Sequence, residues 1–132
     1  MSGAFEMLRV ANTSLGAHQV WLDALAGNIA NANTYVSTDE DAFQATYVVF
    51  NPREDGGVDV AGFAEGDAEG RMISMPDHPL ADENGYVRAP DLDMSAQISQ
   101  LVMAQRGYQS SVSVTKTAQD TYNAALAIGQ GR

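Results

Sequence analysis

Two runs of apolar residues, one near each end of this 132-residue chain, recur at alternating spacings of four and three positions. Such spacing places a continuous apolar stripe on a helix that packs lengthwise against another helix. We therefore predict one helix over about residues 3–32 and a longer helix over about residues 94–129. The first stripe comprises Ala4, Leu8, Ala11, Leu15, His18, Leu22, Leu25 and Ile29. The second comprises Met94, Ile98, Leu101, Gln105, Tyr108, Val112, Thr115, Gln119, Tyr122 and Leu126. Four members of the two stripes are polar: His18, Gln105, Thr115 and Gln119.

Polar residues mark the ends of both predicted helices. Asn28, Asn31 and Asn33 indicate the end of the first, because asparagine is a poor helix former. Its side chain bonds to free backbone groups or bridges to a neighbouring helix. Asp93 or Ser95 is placed to cap the start of the second helix.

Two further features of the second helix concern small residues. Gly107 lies inside it, where glycine costs about 1 kcal/mol relative to alanine. Beside the apolar stripe runs a row of small residues at sevenfold spacing that lets another helix approach closely: Ala104, Ser111, Ala118 and Ala125.

The middle of the chain is divided by glycine and proline into short β-like runs. These cover residues 43–50, 58–63, 72–75 and 86–88, and they predict a small antiparallel sheet or an irregular β-rich insert that leans on the helices. The predicted segments are therefore a helix with an Asn-rich end (1–34), an acidic β-rich middle region (35–93) and a long helix (94–132). The expected fold class is mainly α with a small β-rich insert, with the N- and C-terminal helices packed as an antiparallel coiled-coil-like pair.

Charge separates the middle of the chain from its ends. The formal net charge is −10: the middle of the chain carries −11, whereas the first and last segments carry only −1 and +2. Nucleic-acid binding requires a basic surface, so we expect no nucleic-acid partner. We expect the acidic middle to face water and the neutral helices to meet other protein.

Motifs that support catalysis or cofactor binding are missing from the sequence. With no cysteine there is no disulfide or thiolate site, and His18 and His78 form neither an HExxH motif nor a histidine pair with zinc spacing. No nucleotide-binding glycine pattern occurs. We expect no catalytic residues, no cofactor and no metal site. We also expect no membrane insertion, because no apolar run approaches about 18 residues, and no cleaved signal peptide.

Several segments resemble a known family. Residues 25–34 (LAGNIANANT) resemble the LAxNIANxxT signature of bacterial flagellar basal-body rod and hook proteins. Residues 48–50, 58–63 and 77–87 (DHPLADENGYV) resemble segments of the proximal-rod members, including HPxADxxGYV, and residues 106–109 resemble the start of their carboxyl-terminal signature. The resemblance implies packed terminal helices with a small domain between them. It also implies a structural role in motility: export through the flagellar type III apparatus without a cleaved signal, and self-assembly into the periplasmic rod that transmits torque.

The predicted function is thus a structural rod subunit rather than an enzyme. Its implied partners are further copies of itself, other rod proteins, components of the inner-membrane ring and the export apparatus. A small export chaperone, or less favourably a metal-dependent hydrolase using the acidic middle, remains as an alternative. The predicted assembly interface consists of Leu8, Leu15, Leu22, Leu25, Asn28, Ile29, Asn31, Asn33, Ile98, Leu101, Tyr108, Val112, Tyr122 and Leu126.

Overall fold

A computed structural model describes residues 2–131 of the chain; the ends of the predicted segments, Met1 and Arg132, lie outside the described residues. Along the chain, one long helix precedes four short strands and a second long helix follows them. The predicted helix-rich class with a small antiparallel β component is therefore confirmed. In chain order the elements are α1 (Ser2–Ala30), β1 (Thr46–Pro52), β2 (Val58–Glu65), β3 (Arg71–Ser74), β4 (Tyr86–Ala89) and α2 (Met94–Gly129).

The two helices lie against each other and run in opposite directions. Near the start of α1 the rings of Phe5 and Tyr122 lie 6.3 Å apart, centroid to centroid. Near its end, the amide nitrogen of Asn28 donates to Gln97 Oε1 over 3.1 Å. Residues early in α1 therefore contact residues late in α2, and residues late in α1 contact residues early in α2, which is the antiparallel arrangement.

Side chains at the helix ends account for where the helices begin and end. The Asp93 carboxylate accepts hydrogen bonds from the backbone N–H groups of Ser95 and Ala96, so Asp93 is the N-cap of α2. Helix α2 spans the predicted residues 94–129. Helix α1 ends at Ala30, two residues before the predicted end, and the Asn31 side chain donates to the Gly27 carbonyl in its last turn.

The row of small residues on α2, rather than its stripe of large residues, forms the centre of the helix contact. The buried residues of α2 are Gln97, Ala104, Ser111 and Ala118. Close approach is visible at Gly107, where a Cβ atom would lie 2.3 Å from His18 Nε2. The large-residue stripe, expected to be the packing seam, is displaced to one flank because only side chains this small let the helices come so near.

Strands β1 and β2 form an antiparallel hairpin that lies along α1. At the base of the hairpin the Asn28 side chain bonds to both backbone polar groups of Thr46. At its turn, Val58 N–H donates to Thr13 Oγ1, and Gly57 with φ +97° sits against the same threonine. A bulge between Val49 and Phe50 adjusts the register. The hairpin part of the middle region thus lies against α1, and β1 begins three residues later than expected.

The remaining strands make a second, separate sheet, so the strands of residues 2–131 do not form a single small sheet. Strand β4 pairs with β3 on one side and with Val36 on the other. Arg88 of β4 donates to the carbonyl oxygens of Thr38 and Glu69, which fastens the two neighbouring loops. A small apolar cluster brings together Ala32, Ala45 and Leu92, and Met94 at the start of α2 packs against it.

Within residues 2–131, neither helix contains an apolar stretch long enough to cross a membrane.

Candidate assembly interface

Most of the large apolar residues in the two stripes emerge on the same side of the helix pair. Leu8, Leu15 and Leu22 each follow by four positions a residue of α1 that faces α2, such as buried Ala11. Leu101, Tyr108 and Tyr122 each follow by four positions a buried residue of α2, namely Gln97, Ala104 and Ala118. A step of four residues turns about 40° around a helix axis.

Because the two helices run in opposite directions, a turn of the same size and sense around each helix axis moves both rows of side chains toward the same side of the helix contact. The ring contact between Phe5 and Tyr122 lies on this side. We call the resulting surface the open face. Its apolar residues are Leu8, Leu15, Leu22, Ile29, Ile98, Leu101, Tyr108, Val112, Tyr122 and Leu126. The uncharged polar residues Gln105 and Gln119 lie among them.

The β1–β2 hairpin covers the opposite side of the pair. It contacts α1 at Val10, Thr13, Trp21 and Asn28, which point away from the leucine row. Among the described elements, α2 packs only against α1. The open face therefore has no covering element from residues 2–131.

The structure distributes the predicted interface residues over three environments. Leu25 and Asn28 are buried inside the chain. Asn33, Ile98 and Val112 are exposed, and the last two leave 48% and 44% of their surface in contact with water. The others are half-buried: Leu8, Leu15, Leu22, Ile29, Asn31, Leu101, Tyr108, Tyr122 and Leu126.

No residue of the open face is charged, although the chain carries a net charge of −10. On α2, the charged residues Arg106, Lys116 and Asp120 lie about 140–200° around the axis from the small-residue row, on the side turned away from α1. An uncharged apolar surface of this length is typical of a surface that meets other protein.

Asn28 connects three elements of the chain. Its side chain bonds to the N–H and C=O groups of Thr46 on β1, over 2.8 and 2.9 Å, and to Gln97 on α2. It is only 1% exposed, so all of these bonds are shielded from water. Asn28 of the Asn-rich motif therefore bridges to a neighbouring helix, which is one of the two roles expected from the sequence. That helix, α2, belongs to the same chain.

Charged residues hold the turn of the hairpin to α1. Arg9 donates to the carboxylate and the carbonyl of Asp55 over 2.8 and 2.6 Å, and Arg53 binds both Asp55 and Asp59. The Arg53 hydrogen bonds lower the pKa of Asp55 to about 2. Because these groups are well exposed, the ion pairs fix the position of the turn more than they stabilise the chain.

A turn built around Asp82 explains much of the 77–87 motif. The Asp82 carboxylate accepts hydrogen bonds from the N–H groups of Tyr86 and Asn84 and from the Thr38 hydroxyl. These bonds, chiefly the one from Tyr86, lower the pKa of Asp82. Gly85, with φ +83°, closes the turn against Pro76. The motif has a structural role in positioning β4.

Sequence patterns gave no indication of a second uncharged surface, a groove between β1 and α2 on the hairpin side. The groove has a volume of about 490 Å³, and its walls include Trp21, Tyr47, Phe50, Gln100 and Met103. Met103 leaves 61% of its surface exposed. The lining residues come from three separate elements, and Leu25 is the one among them that belongs to an apolar stripe, so no spacing in the sequence connects them.

The two histidines make structural contacts. The His18 ring donates from Nδ1 to the Ser14 carbonyl over 2.8 Å. His78 accepts at Nδ1 from the Leu80 N–H, and its ring lies edge-on to that of Tyr35. Across residues 2–131, no three side chains of His, Cys, Asp or Glu converge in a way that could hold a metal ion.

Comparison with known proteins identifies relatives that align with more than nine-tenths of this chain. No protein-family model matches it. The flagellar basal-body rod protein FlgC of Yersinia enterocolitica is 34% identical over 126 residues, spanning 92% of this chain and 94% of the relative. The protein of the same name from Salmonella typhimurium is 32% identical with the same coverage. That of Borreliella burgdorferi is 26% identical over 151 aligned positions, spanning 98% and 99% of the two chains.

Proposed function

The chain belongs to the FlgC family of flagellar basal-body rod proteins, and from that premise we propose that the open face is the surface through which it assembles. It is a structural subunit of the flagellar basal-body rod, where it assembles with other rod and basal-body components. The observation that carries the proposal is that the open face, drawn from both stripes, is an uncharged side of the helix pair over which no other described element packs.

Burial of the open face would contribute substantial free energy to assembly. Full burial of a valine or isoleucine side chain contributes about 1.5–3 kcal/mol relative to exposure. Ile98 and Val112 retain nearly half of their exposure in the isolated chain, so together they would contribute about 1.5–3 kcal/mol. The half-buried leucines and tyrosines of the same face add to this. Gln105 and Gln119 lie within the stripe and favour one register over slipped alternatives.

We infer that α1 and α2 pack in the manner of a coiled coil. The buried residues of α2 recur every seven positions, and the two polar pairs that join the helices, Asn28 with Gln97 and Ser14 with Ser111, are 14 positions apart on each helix. A sevenfold repeat over this length supports gradual supercoiling of the pair. The same supercoil would present the open face as a continuous strip to a neighbouring subunit.

The finer features of the role belong to the same proposal. The subunit would form part of the proximal rod and transmit torque, with copies of itself, other rod proteins and the inner-membrane ring as neighbours. It would reach the periplasm through the flagellar export apparatus without a cleaved signal. We propose no catalytic role. The relatives are named as rod proteins, which does not favour the chaperone or hydrolase alternatives.

The proposal is tested with charge substitutions on α2 in a strain that lacks the chromosomal gene. Val112→Glu places a carboxylate on the open face, where its burial without a partner would cost several kcal/mol. Gln109→Glu places the same charge on an exposed position turned away from α1 and serves as the matched control. Both purified variants should unfold at the same temperature as the parent chain.

Electron microscopy of the cell envelope then reports assembly. We expect the deletion strain and the Val112→Glu strain to retain the inner-membrane ring and lack the rod, and the Gln109→Glu strain to build complete basal bodies. Normal rods and motility with Val112→Glu would remove the support for the open face as an assembly surface.

A further inference from the structure

The turn before β4 contains an asparagine followed directly by a glycine, Asn84–Gly85. In such a pair the backbone nitrogen of the glycine can attack the side-chain amide carbon of the asparagine, because no Cβ atom on the second residue obstructs the approach. Every other asparagine of the chain precedes a threonine, isoleucine, alanine or proline. The sequence therefore indicates Asn84 as the asparagine most susceptible to this reaction.

The side chain of Asn84 is open to attack. Asn84 is exposed to water, and the hydrogen bonds that form the turn use its backbone N–H rather than its side-chain amide. The amide carbon is therefore free to rotate toward the backbone nitrogen of Gly85, and solvent water reaches the same atoms.

The backbone on both sides of the reacting atoms is held by hydrogen bonds in the folded chain. Asn84 N–H donates to Asp82 Oδ1 over 2.9 Å, and Gly85 N–H donates to the Asp82 carbonyl over 3.0 Å. The Gly85 carbonyl accepts from Met75 N–H over 2.8 Å, and a Cβ atom on Gly85 would lie 3.2 Å from Pro76. Attack requires the Gly85 nitrogen to lose its proton and the backbone to rotate, so the turn must open first.

Asp82 supplies most of the bonds that keep this turn closed. Its carboxylate accepts from the N–H groups of Asn84 and Tyr86 and from the Thr38 hydroxyl. Its own N–H donates to the Tyr86 carbonyl over 2.9 Å. Hydrogen bonds to a charged acceptor are stronger than those between neutral groups, so loss of the carboxylate should increase the population of the open turn.

We propose that Asn84 is a site of spontaneous deamidation, and that the turn built around Asp82 slows the reaction in the folded chain. The Gly85 nitrogen gives up its proton and forms a bond to Cγ of Asn84, and the bond from Cγ to the amide nitrogen breaks. The amide nitrogen takes up a proton and leaves as ammonia. Water then opens the cyclic imide at one of its two carbonyl carbons, which yields aspartate or isoaspartate without any oxidation or reduction.

Both products change the turn that leads into β4. Each adds a negative charge beside Asp82 and Glu83, and isoaspartate also adds one carbon atom to the main chain before Gly85. Strand β4 begins at the next residue, and its Val87 is completely buried. We therefore expect the modification to weaken the pairing of β4 with β3.

Mass spectrometry of peptides from the purified chain tests the proposal. The chain is incubated at mildly alkaline pH in water enriched in a heavy oxygen isotope, either folded or unfolded in guanidinium, and is digested at intervals. In the unfolded chain, heavy oxygen should appear at Asn84 before it appears at any other asparagine. In the folded chain it should accumulate at Asn84 about tenfold more slowly, because the turn must open.

These labelling rates can overturn either half of the proposal. If Asn84 gained label no faster than Asn33 in the unfolded chain, or gained none in the folded chain, Asn84 would be rejected as a deamidation site. Equal rates at Asn84 in the folded and unfolded chains would reject the protection by the turn.

A pair of variants tests the role of Asp82. Asp82→Ala should raise the rate at Asn84 in the folded chain about tenfold, through the loss of hydrogen bonds to a charged group, and should not change it in the unfolded chain. Glu83→Gln is the matched control, because this exposed carboxylate next to Asn84 takes part in none of the bonds of the turn. It should leave the rate nearly unchanged.

Equal rates in the two folded variants would show that Asp82 does not hold the turn closed. If Asp82→Ala prevents folding, Thr38→Val replaces it, since this change removes one hydrogen bond to the carboxylate. Thr38→Val should give a smaller increase in the rate than Asp82→Ala, and no increase would again reject the role of Asp82.

Discussion

Replacement of Gly107 by alanine tests the close helix contact on which the whole arrangement depends. A Cβ atom at this position would lie 2.3 Å from Nε2 and 2.4 Å from Cδ2 of the His18 ring. The ring is held by its hydrogen bond to the Ser14 carbonyl, so it does not move away freely. Either the ring shifts and loses that bond, or the helices separate and loosen the packing of the small-residue row.

The expected magnitude follows from two opposing terms. In a helix, alanine is favoured over glycine by about 1 kcal/mol. Overpacking costs about 1–3 kcal/mol, and loss of the His18 hydrogen bond lies within that range. We expect Gly107→Ala to lower the free energy of unfolding by about 1 kcal/mol overall.

Gly16 on α1 provides the matched control, because a Cβ atom there meets nothing within 4 Å. Gly16→Ala should raise the free energy of unfolding by about 1 kcal/mol, which separates the two variants by about 2 kcal/mol. Urea unfolding followed by circular dichroism measures both. In a His18→Ala background the penalty of Gly107→Ala should disappear. If Gly107→Ala stabilised the natural chain as much as Gly16→Ala does, the reasoning about helix proximity would be refuted.

Three further predictions concern the contacts that hold the elements together. Asn28→Ala should lower the free energy of unfolding by about 2–4 kcal/mol, because the buried partners of Asn28 lose their hydrogen bonds. Asn33 is exposed, so Asn33→Ala should change the free energy of unfolding little when both variants are measured by urea unfolding. Asp82 has a folded-state pKa below its ordinary value of 3.8, so its contribution to stability is present above that value and is lost as pH falls through the folded-state pKa. Asp82→Asn should therefore make unfolding less sensitive to pH below about pH 4, and an unchanged pH profile would contradict the role of its hydrogen bonds. Finally, the double variant Ser14→Cys, Ser111→Cys should form a disulfide within the monomer on mild oxidation, because the two hydroxyl oxygens lie 2.9 Å apart. The disulfide is detected as a shift in gel mobility, and its absence would contradict the helix register.

The helices were predictable because their signals are local. The alternating spacing of apolar residues identifies both of them, and Asp93 gives the start of α2 through a capping contact that involves only its own first turn. The short β-like runs also became strands, with shifted ends. Strand limits depend on the partner strand, so β1 starts at Thr46, where Asn28 binds its backbone, rather than at residue 43.

The packing of the helices could be predicted only in part. A sequence shows which residues form a stripe, but it does not show which stripe a given neighbour covers. Here the small row of Ala104, Ser111 and Ala118 lies under α1, and this leaves the larger stripe for another partner. The groove around Met103 could not be predicted at all, since its walls come together only after the hairpin folds back along α1.

The most direct test of the account compares the reactivity of one cysteine at Val112 in two states of the protein. Val112→Cys, the sole thiol in the chain, is labelled with a maleimide in the purified monomer and in isolated basal bodies. The open face predicts rapid labelling in the monomer, where Val112 is 44% exposed, and strong protection in the rod. Equal labelling rates in the two states would show that this face remains in water after assembly, which contradicts the central claim.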